Sequence, residues 1–274
     1  MHIRFGFDIA YDFPVPTSVV LMLHLRPELT PCLAVPEEFK IFPKVPVRTF
    51  RDDFGNHCTR LLAPAGLLEL RSEGLIRRGD LPERIEAGAA EVPVMALPSS
   101  VLPFLLPSRY CEVDLLGEFA WSRFGAVKPG WSRVQAVSDW VHSHLRFDYA
   151  QARLTRTAAQ AYEERTGVCR DFTHLAITLC RCLNIPARYV TGYLGDIGVP
   201  PDPAPMDFSA WMEVYLDSRW HIFDVRHNAR RIGHLTMARG RDAADVAFTT
   251  SFGPHLLRHF RVVTLEESLP AVAA

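Results

Sequence analysis

Apolar and polar positions change their spacing along the chain, and this change divides it into two parts. In the first ninety residues, apolar positions alternate with polar ones or form short runs, for example over residues 1–7 and 17–25. Turn residues such as Pro14, Pro43 and Pro64 separate these runs. Short strands bounded by turn residues at this spacing are typical of a β-sandwich. The pattern therefore predicts an N-terminal β-sandwich domain over residues 1–92.

Four prolines mark the segment that follows, residues 93–110. Pro93, Pro98, Pro103 and Pro107 each fix φ and remove a backbone donor. Neither a helix nor a central strand can continue through prolines at this density. We expect a connector between two domains here, and an irregular segment packed on the surface fits the same residues equally well.

Helical spacing begins after the connector, in the part predicted as a second domain over residues 111–274. Val134, Val137, Val141 and Leu145 are three or four positions apart, which predicts a helix from the N-cap Ser132 to about Leu145. Further helices are predicted over residues 158–165 and 167–184, and strands over residues 187–193, 208–216 and 219–225. Helices that precede an antiparallel sheet indicate an α+β fold.

Composition excludes several classes of protein. Hydrophobic residues make up 48% and charged residues 22% of the 274 residues, so the chain is neither disordered nor collagen-like. The formal charge of −1 favours neither nucleic acid nor a membrane as a partner. No uncharged apolar stretch reaches the roughly 18 residues of a membrane-spanning helix. The first ten residues lack the pattern of an export signal, so we expect a cytoplasmic protein with reduced cysteines.

Cys169 is the candidate nucleophile among the six cysteines. It lies in the sequence Gly167-Val168-Cys169-Arg170-Asp171, at the first turn of the third predicted helix. The partial positive charge of a helix N-terminus and the neighbouring Arg170 both favour the thiolate, which is the reactive form. Gly167 allows a tight backbone entry into the helix. The alternative role for such a cysteine is that of a small buried hydrophobic residue.

The other five cysteines are not expected to bind a metal. Cys180 and Cys182 are two positions apart on one helix and point about 200° apart. Cys32, Cys58 and Cys111 have no histidines at the spacing of a metal site. The sequence also lacks the glycine motifs of nucleotide-binding proteins and the G-x-S-x-G motif of serine hydrolases. We therefore expect neither a metal nor a cofactor.

Three motifs resemble the core of the transglutaminase-like superfamily. They are Gly-Val-Cys-Arg-Asp-Phe at 167–172, Ala-Trp-Met-Glu-Val-Tyr at 210–215 and Trp-His-Ile-Phe-Asp at 220–224. The segment from 226 to 246 is similar to a bacterial subgroup whose members are often labelled cysteine proteases. The resemblance implies a papain-like α+β fold with a Cys-His-Asp triad. In that triad Cys169 is the nucleophile, and Asp224 orients the histidine.

Position 209 departs from the family pattern, which has a histidine directly before Ala-Trp where this chain has Ser209. A serine hydroxyl cannot take up a proton near neutral pH, and it cannot stabilise a thiolate as a cation. We therefore expect Ser209 to occupy the histidine's place in the site. The activity of this chain should then be very low.

Three explanations for Ser209 are open. The chain is a degenerate enzyme that keeps its fold for binding, or the serine is a substitution in a protein whose parent is active. In the third explanation another histidine takes over, and the candidates are His221, His227 and His174. Of these, His227 follows Asp224 by three residues in a predicted loop, from which it could turn towards the site.

Two functional hypotheses follow from these residues. The first is acyl transfer through a thioester on Cys169, with water as the acceptor in a peptidase or amidase and an amine in a transglutaminase. The small bacterial type favours hydrolysis of a peptide or amide bond, by analogy alone. The second is a catalytically silent module that holds a peptide or partner protein, which Ser209 favours. The proline-rich segment 196–205 is predicted to be either a loop bordering the cleft or an uninvolved surface loop.

Overall fold

The computed structural model describes residues 1–267, which contain fourteen strands and four α-helices. The strands of the first half of the chain are β1 (His2–Phe13), β2 (Thr17–Leu21), β3 (Leu33–Phe42), β4 (Val47–Arg51), β5 (His57–Ala63) and β6 (Gly66–Arg77). The helices are α1 (Val113–Phe124), α2 (Trp131–His144), α3 (Ala158–Glu164) and α4 (Cys169–Cys182). The remaining strands are β7 (Arg146–Phe147), β8 (Thr166–Gly167), β9 (Ala187–Tyr193), β10 (Ser209–Leu216), β11 (Arg219–Phe223), β12 (Leu235–Gly240), β13 (Thr249–Ser251) and β14 (Leu256–Glu267).

Two four-stranded antiparallel sheets form the N-terminal part. Their strand orders are β14-β1-β6-β3 and β13-β2-β5-β4. Buried side chains of both sheets share one hydrophobic core, to which Phe5 and Ile9 of β1, Val19 of β2 and Leu61 of β5 contribute. The alternating burial along β6 is the pattern expected of a strand with one face in a core. The predicted N-terminal β-sandwich is confirmed.

The C-terminal strands return to this sandwich. β14 pairs antiparallel with β1 from His2 opposite Glu267 to Asp12 opposite Leu256, and β13 pairs with β2. The predicted domain boundaries at residues 92 and 110 stay a prediction. The strand pairing differs from that prediction for one segment near the C-terminal end. Residues 249–267, predicted in the second domain, belong to the sheets of the first, because β14 supplies backbone partners to β1 that would otherwise be missing. Residues 268–274 of that predicted domain lie outside the described residues.

A third antiparallel sheet, ordered β11-β10-β9-β12, supports the helices. Helix α4 packs on one face of β9 and β10 and also contacts α1, α2 and α3. It is therefore buried on all sides from Asp171 to Arg181. This sheet also meets the sandwich, where Tyr193, Leu235 and Phe208, which precedes β10, join the core shared by the two N-terminal sheets. Helices packed on an antiparallel sheet confirm the predicted α+β fold.

The connector is an irregular segment packed against this second part. It contains two short 3-10 helices, Val94–Ala96 and Leu102–Leu105. Leu97 and Val101 are buried against Tyr215 of β10. Packing on the surface, the alternative that the prolines left open, therefore describes this segment.

Helix α2 begins one residue before the predicted N-cap. Its N-cap is Gly130 and not Ser132, and Gly130 has a φ of +97°. Glycine is needed there because the backbone is left-handed and the carbonyl oxygen of Ala89 lies where a Cβ would be. The other predicted helices and strands of the second part agree with the structure within two residues at each end.

Asp171 fixes the first turn of α4, and with it the position of Cys169. Its buried carboxylate accepts a hydrogen bond from the backbone N–H of Val168 at 2.9 Å and lies 3.0 Å from Nη1 of Arg156. Gly167 leaves room for this carboxyl group, since a Cβ at that position would lie 2.6 Å from the Cβ of Asp171. The local sequence thus sets the start of the helix through a buried ion pair.

Replacement of Arg156 by methionine should lower the free energy of unfolding by about 3 kcal/mol, because it removes the closer cation of the buried Asp171 carboxylate and leaves only the Arg170 guanidinium at 3.4 Å. Urea denaturation followed by circular dichroism measures this change. The matched control is Arg153→Ala, which removes an exposed ion pair with Glu164 and should cost less than about 1 kcal/mol. Equal effects of the two substitutions would contradict the role given to Arg156.

Candidate active site

Cys169 lies where two cavities meet beside the first residue of β10. The smaller cavity, of about 60 Å³, is polar and is also lined by Asp207, Ser209, Arg226 and His227. The larger cavity, of about 310 Å³, has mainly apolar walls. Cys169 and Ser209 line both cavities, so the structure brings these two predicted site residues together. We call the smaller cavity the polar cleft and the larger one the apolar groove.

The thiol of Cys169 is held in its neutral form. Although part of the residue reaches solvent, protein surrounds the sulfur, and this burial raises its pKa to about 11. The negative charge of Asp207 adds to the increase. The backbone N–H groups of Ala210 and Arg170 and the charge of Arg226 act in the opposite direction.

The guanidinium group of Arg170 does not serve the thiol as the sequence suggested. It donates to the backbone carbonyl of Leu154 at 3.3 Å and contacts that of Arg153, and it lies 3.4 Å from Asp171. The cation that favours the thiolate is Arg226, which the sequence analysis did not identify.

Asp224 directly follows β11 and is 7% exposed. One oxygen, Oδ2, accepts a hydrogen bond from Nδ1 of His227 at 2.7 Å, and Oδ1 accepts one from the backbone N–H of His227 at 3.2 Å. Burial alone would raise the pKa of Asp224. The hydrogen bond from His227 and the nearby imidazole of His234 outweigh this effect and hold the pKa well below its usual range. Asp224 is therefore a carboxylate in position to orient an imidazole.

His227 reaches the polar cleft with its other ring nitrogen. Because Nδ1 donates to Asp224, Nε2 carries the lone pair, and it accepts a hydrogen bond from Arg226. The guanidinium of Arg226 also lies 3.9 Å from the centre of the Phe147 ring and 3.7 Å from Asp202. Arg226, which lines the same cleft, therefore occupies the ring nitrogen of His227 that Asp224 leaves free.

The two other candidate histidines lie elsewhere. His221 faces away from Asp224 and bonds the carbonyl of Leu216 at 3.2 Å. His174 is fully buried on α4, where its Nε2 accepts a hydrogen bond from the backbone N–H of Ala243 at 3.1 Å. Burial lowers the pKa of His174 well below its usual value, so this imidazole is neutral. Of the three candidates, the structure brings only His227 to Asp224.

Ser209 faces the polar cleft. Its hydroxyl group makes no hydrogen bond to any of residues 1–267, and its backbone carbonyl accepts a hydrogen bond from the Thr191 hydroxyl at 3.3 Å. The loop 196–205 borders the polar cleft through Asp196, Asp202 and Pro205. Trp211, which follows Ser209 by two residues, is fully buried and belongs to the core.

A second histidine near Asp224 was missed by the sequence analysis. His234 precedes β12 and is 3% exposed, and its Nε2 lies 3.9 Å from Oδ2 of Asp224. Nothing in the motif spacing indicates this residue, because it comes ten positions after Asp224 on another element. The sequence did indicate His227, since a side chain three positions after Asp224 within a turn can reach the Asp224 carboxylate.

Among residues 1–267, no group of three or more histidine, cysteine, aspartate or glutamate side chains is arranged to hold a metal ion. Within the same residues, no helix has the length and apolar character needed to cross a membrane.

Comparisons with known proteins identify the family. The sequence profile of the transglutaminase-like superfamily matches residues 122–225. The crystal structure of a "putative cysteine protease" from Cytophaga hutchinsonii superposes with a TM-score of 0.83 and 30% sequence identity, over 98% of this chain and 92% of the other. The chain belongs to the transglutaminase-like superfamily. The resemblance stated from the three motifs is thereby confirmed.

Other similar proteins are more distant in sequence. An uncharacterised protein of Mycobacterium leprae is 25% identical over 190 residues, which cover 68% of each chain. The human kyphoscoliosis peptidase is 26% identical over 113 residues, or 38% of this chain and 17% of the human protein. The superfamily profile ends at residue 225, after Asp224 and before His227. His227 therefore lies outside the part of the chain that the superfamily pattern describes.

The raised pKa of Cys169 predicts slow alkylation by iodoacetamide at neutral pH. With a pKa of about 11, only about one thiol in ten thousand is ionised at pH 7, and the rate should rise with pH throughout the alkaline range. Arg226→Gln should slow the reaction about threefold to tenfold at pH 8, because it removes the cation that favours the thiolate.

Mass spectrometry of the peptide that contains Cys169 measures this rate apart from the other cysteines. Arg230→Gln is the matched control, since Arg230 is an exposed arginine of the same loop that does not line the polar cleft. A rate that already reaches its plateau near pH 7 would contradict the neutral thiol.

Proposed function

We propose that this protein is a cysteine-dependent acyl-transfer enzyme that hydrolyses peptide or amide bonds. Cys169 is the nucleophile and Asp224 orients the base. His227 is that base, in place of the histidine that the family has at the position of Ser209. The observation that carries this proposal is the 2.7 Å hydrogen bond from His227 to Asp224, made by a histidine that lines the same cleft as Cys169.

The tautomer of His227 supports its role as a base. Asp224 binds the Nδ1–H group, so the lone pair lies on Nε2, the nitrogen directed at the polar cleft. The buried carboxylate also stabilises the imidazolium that forms when Nε2 takes up a proton. For the reaction, Nε2 exchanges the Arg226 hydrogen bond for the thiol of Cys169.

The reaction then proceeds by general-base and general-acid steps on one imidazole. His227 takes the proton of the Cys169 thiol as the sulfur attacks the carbonyl carbon of the substrate. The tetrahedral intermediate collapses to a thioester, and His227 gives the proton to the leaving amine. A water molecule, deprotonated by His227, attacks the thioester, and the product acid and the Cys169 thiol are released.

A neutral resting thiol is compatible with this sequence of steps. Proton transfer that accompanies the attack does not require a preformed thiolate, but it requires a base within reach of the sulfur. Arg226, which lies beside both groups, favours the thiolate as it forms. The backbone N–H groups of Arg170 and Ala210 lie near the sulfur, and they are candidates for stabilising the oxyanion.

The walls of the two cavities support a peptide as the substrate. The apolar groove beside Cys169 is lined by Leu154, Val168, Val246 and Phe248, and it can accept an apolar side chain on the acyl part. Hydrolysis is favoured over transamidation because two of the similar proteins carry the names of a protease and a peptidase.

A silent binding module is the second candidate. Two observations favour it: Ser209 replaces the family histidine, and Arg226 occupies Nε2 of His227 in the structure. In this alternative the cleft holds a peptide without cleaving it, and His227 only anchors the loop that follows Asp224.

Hydrolysis of fluorescein-labelled casein should distinguish these candidates. Cys169→Ala and His227→Asn should each lower the rate about 10³-fold or more, because each removes a member of the triad. Ser209→Ala should change the rate less than twofold, because the proposed mechanism gives its hydroxyl no role. The matched control is His221→Asn, which changes a buried histidine that faces away from Asp224.

Other outcomes of the same assay overturn the proposal. If the unaltered protein is inactive and Ser209→His alone creates hydrolysis that depends on Cys169, the protein is a silent module. Incorporation of dansylcadaverine into casein, without hydrolysis, would instead assign transamidation.

A further inference from the structure

A third cavity adjoins Asp224 and shares Arg231 with the polar cleft. It has a volume of about 280 Å³, and Glu83, Ser138, Asp224, Arg231 and His234 line it. The hydroxyl of Ser138 and both ring nitrogens of His234 are buried without hydrogen-bond partners among residues 1–267. Buried polar atoms of this kind require an explanation.

His234 lies between two carboxylates. Its Nε2 is 3.9 Å from Oδ2 of Asp224, and its Nδ1 is 3.8 Å from Oε1 of Glu83. Both distances are too long for hydrogen bonds, but they suit ion pairs. Only the protonated imidazole gains from this position, since a neutral ring would leave both nitrogens buried and unpaired.

Charged groups of several segments surround His234. Asp224 and Glu83 are the carboxylates that face it, and three arginines, Arg84, Arg230 and Arg231, line the same cavity. Trp211 of β10 packs edge-on against the ring at 4.7 Å. Burial alone would lower the pKa of His234. The two carboxylates outweigh this effect and raise the pKa above its usual value.

We propose that His234 is a positioning residue, which balances the charge of Asp224 from the interior while His227 binds the same oxygen from the cleft. This inference rests on the proposed function, because it concerns the base of that mechanism. Glu83 in turn balances His234, so charges of alternating sign run from the segment after β6 to the polar cleft.

The physical consequence concerns the protonation of His227. Without a cation at position 234, the full charge of Asp224 acts on His227 and favours its imidazolium form, which cannot act as a base. The acid limb of the rate profile should then move to higher pH. The two imidazoles bind the same carboxylate oxygen, and at an effective dielectric constant of about 40, between the values of about 20 near a protein surface and about 80 in water, loss of one charge moves it by about one pH unit.

His234→Gln tests this inference, because glutamine keeps a polar side chain of similar length but carries no charge. The pH dependence of kcat/KM for casein hydrolysis should shift its acid limb upward by about one pH unit, while the rate at pH 9 stays within about twofold. Glu83→Gln, which loosens the hold on His234, should shift the limb in the same direction by less. The control is His221→Gln, since His221 is buried but makes no ion pair among residues 1–267.

A readout independent of activity separates this inference from the proposed function. Titration of ¹⁵N-histidine-labelled protein by NMR should show the His227 signals changing about one pH unit higher in His234→Gln than in the unaltered protein. If Cys169→Ala and His227→Asn abolish activity but His234→Gln moves neither the acid limb nor these signals, the inference is overturned and the proposed function stands. If Cys169→Ala leaves activity intact, the proposed function fails, and the NMR titration alone decides the role of His234.

Discussion

The burial of Asp224 is the constraint on which the candidate site depends. A carboxylate that is almost fully removed from water is stable only if hydrogen bonds and opposite charges replace its hydration. Two imidazoles meet that requirement at one oxygen, with His227 at 2.7 Å and His234 at 3.9 Å. The carboxylate lies at the end of β11, and its position therefore determines where a histidine can bind it. It also determines which ring nitrogen of His227 is not bound to the carboxylate.

Separate parts of the chain meet around this carboxylate. The segment after β6 supplies Glu83, the loop after Asp224 supplies His227, and the segment before β12 supplies His234. Helix α4, whose start is held by the Arg156–Asp171 pair, supplies Cys169. The sandwich packs against the sheet that positions Asp224, and it is completed only when β14 pairs with β1. The sandwich that borders the site therefore combines strands from early and late parts of the chain.

Much of this arrangement could be predicted from the sequence, and the remainder could not be for physical reasons. The spacing of Phe172, Ala176, Leu179 and Leu183 identifies α4, because local periodicity specifies a helix. The pairing of β14 with β1 joins residues more than 240 positions apart, which no local pattern encodes. The charge of Arg170 was assigned to the thiol from adjacency along the chain, but on a helix neighbouring side chains diverge, and this one reaches Asp171 and loop carbonyls.

The replacement of the family histidine by Ser209 therefore has a different meaning once the direction of the Asp224 carboxylate is known. A triad requires a nucleophile, an imidazole and a carboxylate in hydrogen-bonding order, but it does not require that the imidazole come from a particular strand. A histidine three residues after Asp224 satisfies the carboxylate through a turn, and it faces the same cleft as position 209. The family pattern implies that a histidine at 209 binds the same carboxylate, and such a histidine would compete with His227 for Oδ2. A serine at 209 leaves that oxygen to the imidazole that is already bound.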